Sequence, residues 1–204
     1  MIFYPKANTI RYKVFKVVLG TLGHFKYSKY PFWLQYDPTS FNIKGEHTTI
    51  IMEAMQPGDI LLRGYNNYLS ELLIPGKWSH AALVTDNHGV VHAVGSGIEY
   101  QNIIDFCRCD RIILIRPKVD IEDSENAVNK AKLEIGKPYD HSFIFEREWS
   151  EDQLFSCSEL IYHCYRDTKV NFKMGATNVG IWKVDKFTPD DILNGNIELI
   201  KLLE

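Results

Sequence analysis

Between Ser79 and Val94 two short apolar runs flank a turn, and this constrains the fold more than any other stretch. Ser79 to Thr85 and Val90 to Val94 have strand composition, and Asp86-Asn87-His88-Gly89 has the residues of a tight reversal. So short a connection forces an antiparallel pair. A three-residue loop, Asp86-Asn87-His88, sets Thr85 opposite Gly89 and Ala82 opposite His92. His80 and His92 then share one face, diagonal to each other and within side-chain reach. A loop of two or four residues sends them to opposite faces. In the first register His92 can fix the tautomer and orientation of the His80 ring. Should His92 face away, Glu99 is the next candidate neighbour. His88, at the turn, is expected in solvent.

The second constraint is Ser156-Cys157-Ser158-Glu159, a polar tetrapeptide that leads into an apolar-periodic run. The spacing predicts a helix from Ser156 to about Asp167, with Cys157, Leu160, Ile161 and Cys164 on one buried stripe. Cys157 falls in the first turn, where the partial positive charge of a helix N-terminus favours a thiolate. A histidine on a neighbouring strand can take the thiol proton and return it to a leaving group. The unpaired first-turn amide of Cys157 is a candidate oxyanion donor. Free cysteines are often small buried hydrophobes, and Cys164 reads that way.

Elsewhere the chain alternates short strands and helices. Helices are expected at residues 9 to 23, Tyr68 to Ile74 and Ile103 to Phe106, and a short helix or turn at Thr48 to Met55. Another runs from Ile121 to Ile135, capped by Ser124 and ended by Gly136. Strands are expected at Ile60 to Arg63, Gly97 to Tyr100, Arg111 to Arg116 and Phe143 to Phe145, with an aromatic linker at 30 to 40. The result is an α+β design, a central antiparallel sheet with helices on one side. We divide it into a basic aromatic extension, residues 1–50, and one domain, residues 51–204.

Composition enters mainly as exclusion. A net charge of −3 over 204 residues gives no global case for nucleic acid. The four cysteines, Cys107, Cys109, Cys157 and Cys164, lack paired ligand spacing, so no metal site and no cofactor are expected. Their number and spacing suit a reducing compartment, and a cytoplasmic location is expected. Residues 1–36 hold Lys6, Arg11, Lys13, Lys16, Lys26 and Lys29 and no acidic residue. Aromatics including Phe3, Tyr12, Phe25 and Trp33 run through the same arm. It can lie on an anionic membrane surface as a peripheral contact, or wrap the acidic body. No stretch reaches the roughly 20 apolar residues of a spanning helix.

Six segments in order resemble the circularly permuted branch of the NlpC superfamily, papain-like cysteine hydrolases of the YiiX type. They are Gln56-Pro57-Gly58-Asp59-Ile60, Trp78-Ser79-His80-Ala81, Val90-Val91-His92-Ala93, Gly136-Lys137-Pro138-Tyr139-Asp140, Cys157-Ser158-Glu159-Leu160 and Thr188-Pro189-Asp190-Asp191-Ile192. The resemblance implies a papain-like sheet or open barrel with helices on one side. It implies Cys157 as nucleophile, His80 as base, His92 as third residue and Tyr139 as an oxyanion or positioning residue. The implied activity is cleavage of an amide in a small peptide or cell-wall-type peptide. His92 stands where the YiiX type usually carries glutamate, and in this it is similar to the lecithin retinol acyltransferase-like branch. A lipid-directed thioesterase or acyltransferase acting on an acyl donor is therefore the alternative. A binding module that keeps the fold is the third reading.

Overall fold

A computed structural model of the chain describes residues 41–66, 68, 74, 76–141, 154–173 and 187–204, the helical positions 10, 13, 14 and 16–18, and the backbone of strand pieces at 25–29, 32–36, 177–179 and 182–184. Two small hairpins are β1 (Phe25–Lys29) with β2 (Phe32–Tyr36) and β8 (Thr177–Val179) with β9 (Trp182–Val184). The main sheet comprises β3 (Ile60–Gly64), β4 (His80–Asp86), β5 (Gly89–Val94), β6 (Gly97–Asn102), β7 (Arg111–Pro117) and β10 (Ile197–Leu203). Its six strands run in the order β10-β7-β3-β4-β5-β6, every pair antiparallel. The helices are α1 (Gly45–Ala54), α2 (Ile103–Phe106), α3 (Ile121–Leu133) and α4 (Cys157–Tyr165), with a 3-10 turn at Pro189–Asn194. No helix among the described residues is long and apolar enough to cross a membrane.

Strand periodicity divides the core. Leu62, Ala81, Leu83, Val91 and Ala93 point to one face, where Ala127 and Ala131 of α3 and Leu160, Ile161 and Cys164 of α4 cover them. Leu61, Ala82, Val84 and Val90 point to the other and pack with Ile51, Met55, Ile103 and Phe106. The two long helices thus share one side of an open α+β sheet, and the short α1 and α2 close a smaller cluster opposite.

The hairpin register departs from the expected loop in an instructive way. Asp86 pairs with Gly89, so the loop is two residues, Asn87-His88. Val84 nevertheless pairs with Val90 and Leu83 with Val91, because the ladder shifts between Val84 and Asp86. Thr85 and Asp86 together oppose Gly89, a bulge that adds one residue to one strand. The bulge restores the parity that a two-residue loop alone would have reversed.

Three other expectations change. Asp120, not Ser124, caps α3: its carboxylate accepts from the Asp123 amide at 2.9 Å, and Ser124 lies inside the first turn. The helix ends at Leu133, so Ile135 falls off the Ala127–Ala131 stripe and is exposed. Gly136, at φ 94°, turns the chain back, and its amide donates to Ile98 at 2.9 Å. The linker at 30 to 40 contains β2, and the C-terminal strand β10 was not expected at all. The strand at Phe143 to Phe145, the interior of the helix at Tyr68 to Ile74 and most of residues 9 to 23 lie outside the described residues.

Candidate active site

β4 and β5 bring two imidazoles together. His80 Nε2 lies 2.8 Å from His92 Nδ1, with the ring centroids 5.0 Å apart and the planes at 76°. Both rings rest on Phe106, at 5.9 and 5.7 Å. Arg63, paired with His80 across β3 and β4, lays its guanidinium over Phe106 at 4.3 Å and donates to the Phe106 carbonyl at 2.9 Å. Across β5 and β6 His92 faces Glu99, and its Nε2 stands 3.7 Å from Glu99 Oε1. Burial first, and then the Arg63 charge, hold His92 down to about 3 and His80 well below 6.5. The resting pair is therefore neutral.

Cys157 opens α4, as its sequence position requires. Ser156 and Glu159 form a capping box, in which the Ser156 amide donates to Glu159 Oε2 at 2.8 Å. Ser158 Oγ then ties the first turn to the Phe187 carbonyl. The sulfur meets the backbone amides of Ala81 and Ser158. Ala81 follows His80 directly, so the thiol reaches β4 one residue from that imidazole. The imidazoles, however, sit on the Phe106 side of the sheet, whereas α4 packs on the Ala81 side. No hydrogen bond joins Cys157 Sγ to His80 in this state.

The expected resting thiolate is not found. Burial pushes the Cys157 thiol up to about 11, against the pull of the two amides. Cys107 stands at about 11, Cys109 at about 12, and Cys164 is raised further by burial. Desolvation outweighs the helix terminus here because the side chain is almost wholly enclosed. The thiol and the imidazoles are both held in their uncharged forms.

Tyr139 lies beside this helix start. Tyr139 forms a parallel bridge with Phe155, and the Asp140 amide donates to the Phe155 carbonyl at 3.1 Å. The Cys157 amide donates to the Tyr139 hydroxyl. The first-turn amide expected to stand open for an oxyanion is thus already engaged. Burial raises the Tyr139 hydroxyl well above 10, so it keeps its proton.

Residues 54–193 match the family described as permuted papain-like amidase enzyme, YaeF/YiiX, C92 family. The chain belongs to this family. Its members are cysteine peptidase/amidase-type hydrolases, and this permuted amidase is an enzyme of that type. The fold is similar to that of the metalloprotein YiiX from Escherichia coli O157:H7, known from a crystal structure. The two share a TM-score of 0.55 at 18% identity, over 72% of this chain and 97% of that one. No curated protein matches it in sequence. These matches do not extend to the lecithin retinol acyltransferase-like branch. Among the described residues of the amidase, no group of three or more His, Cys, Asp or Glu is arranged to hold a metal ion.

The C-terminal segment of the amidase joins the two halves of the site. Asp190 Oδ1 and Oδ2 accept from the amides of Lys77 and Trp78, at 3.1 and 3.0 Å, two residues before His80. Asp191 caps the same turn, accepting from the Thr188 amide at 2.7 Å. Ser158 reaches the neighbouring Phe187. One short segment thereby holds both the histidine strand and the cysteine helix. In the sequence Thr188-Pro189-Asp190-Asp191-Ile192 stands only as one of the six family-like segments, and nothing in it announced that Asp190 would reach across 112 residues to Trp78. His141, buried with its ring 4.8 Å from Tyr139, was also missed, because Asp140-His141 reads as an ordinary turn.

Proposed function

We propose that the amidase acts through a thioester on Cys157, with His80 as base and then acid, His92 as the residue that orients His80, and Tyr139 as an oxyanion donor. The observation that carries this reading is the His80–His92 hydrogen bond on the strand whose next amide touches the Cys157 sulfur. With Nε2 engaged by His92, His80 has Nδ1 left for the thiol. As Cys157 Sγ attacks the carbonyl carbon, its proton passes to His80. The carbon–nitrogen bond then breaks and the amine leaves with that proton. Water, deprotonated by His80, cleaves the thioester and restores the thiol. His80 is the first residue of β4 and half-buried, and the amide of the next residue, Ala81, is the one that meets the sulfur. Catalytic hydrogen bonds commonly tighten only with substrate bound.

Tyr139 suits an oxyanion because the Cys157 amide donates to its oxygen. That donation polarises the phenol, and its proton is then the one offered to the developing charge. A small peptide or cell-wall-type peptide is the substrate class we favour.

p-Nitrophenyl acetate tests the assignment without knowledge of the natural substrate. Mass spectrometry should find one acetyl group, on Cys157. Cys157→Ala should abolish p-nitrophenolate release, and His80→Ala should lower it by about 10²-fold or more. His92→Ala should retain measurable activity. Acetylation on another residue, or wild-type rates in His80→Ala, would overturn the reading.

A further inference from the structure

We propose that Glu99 is a positioning residue that completes a chain His80–His92–Glu99, accepting the outer N–H of His92 when His80 takes the thiol proton. This rests on the assignment of Cys157 and His80 above.

The argument begins with the shared hydrogen bond. His80 Nε2 and His92 Nδ1 are 2.8 Å apart, so one of them must carry a proton and the other a lone pair. A base that receives the thiol proton on Nδ1 must start with Nδ1 bare and Nε2 protonated. His92 Nδ1 is then the acceptor, and the His92 proton is forced onto Nε2. That atom is fully enclosed and has no hydrogen-bond partner. A buried donor left unmet costs about 1–3 kcal/mol. The nearest carboxylate oxygen is Glu99 Oε1 at 3.7 Å, just beyond bonding distance. Cross-strand pairing places Glu99 directly opposite His92 on β6, and Ser96 Oγ donates to its other oxygen at 3.3 Å.

Charge favours the same arrangement. Among the described residues, the ionisable groups around the two rings are Arg63 from β3, the partner imidazole on β4 or β5, and Glu99 from β6. Arg63 opposes any positive charge on either histidine. Glu99 is the carboxylate that faces the pair, and it offsets the imidazolium formed during attack. About half of its side chain is exposed, which leaves it free to close the remaining gap.

The test uses Cys157 acetylation by p-nitrophenyl acetate as a function of pH, together with imidazole nitrogen NMR of the whole protein. Nitrogen shifts should show His92 protonated at Nε2. Glu99→Gln should slow acetylation by about tenfold, since it weakens the base. It should also move the acid limb of the profile to lower pH, because losing a negative charge makes the imidazolium easier to deprotonate. Glu99→Asp should restore part of the rate and return the limb toward its original pH. In a His92→Ala background, Glu99→Gln should change nothing further. A His92 proton on Nδ1, an unmoved acid limb in Glu99→Gln, or an undiminished effect without His92 would each overturn the proposal. If His80→Ala acetylates at the wild-type rate, the underlying mechanism falls. If His80→Ala is slow while Glu99→Gln is normal, only the role of Glu99 falls.

Discussion

At the scale of single residues the site is a set of groups kept neutral by burial. A thiol raised to about 11 beside imidazoles held below 6.5 does not form an ion pair at rest. Iodoacetamide should therefore alkylate Cys157 at a rate that climbs steadily through the alkaline range. A plateau already reached near pH 6 would show a thiolate–imidazolium pair instead. The same neutrality has a stability consequence. His92 titrates at about 3 when folded against 6.5 for an ordinary histidine, so the unfolded chain binds more protons between those values. Its contribution is fully present above pH 6.5 and is lost as pH falls toward 3. Urea midpoints should decline over that interval, and His92→Gln should flatten the decline. An equal slope in the variant would assign the acid sensitivity elsewhere.

At the scale of elements, short polar contacts do the aligning. Asp190 holds the two amides ahead of β4, and the Ser156–Glu159 box starts α4. Asp190→Ala should cost about 1.5–3 kcal/mol, the usual loss for hydrogen bonds to a charged group. It should also slow Cys157 acetylation, because the first residue of β4, His80, is the proposed base. Ser156→Ala should cost about 0.5–2 kcal/mol, the usual loss for an N-cap. Denaturation curves give both values. If Asp190→Ala lowered stability and left acetylation untouched, the segment would be only structural. These elements were legible to different degrees. Cys157, Leu160, Ile161 and Cys164 announce α4 because a helix that packs on a sheet needs that stripe. β10 announces nothing: at the sheet edge Leu199 and Leu202 remain exposed, and Glu198 and Lys201 interrupt the apolar run. The bulge at Thr85 was equally silent, since a shifted ladder and a longer loop draw on the same residues.

At the scale of the whole molecule the sheet sets two faces, and the site straddles them. The basic arm remains a proposal in its own right, a structural wrap over the acidic body. Deleting residues 1–36 should then lower the thermal midpoint while Cys157 acetylation proceeds as before. An unchanged midpoint with lost binding to anionic vesicles would make the arm a membrane contact instead.

The sequence by itself determined the α+β class, the order of histidine before cysteine, a tight hairpin between the two histidines, and the helix that begins at the cysteine, but not the bulge that turns both histidines to one face. Each depends on local periodicity, turn chemistry or capping, which neighbouring residues carry among themselves. Only the tertiary structure decided the charge state of the thiol, the engagement of the Cys157 amide by Tyr139, the closeness of Glu99 to His92, and the reach of Asp190 to β4. Burial and long-range hydrogen bonds depend on what the folded chain brings from elsewhere. The helix terminus argues for a thiolate in any sequence of this kind, and the desolvation that overrules it exists only once the core has closed around the sulfur.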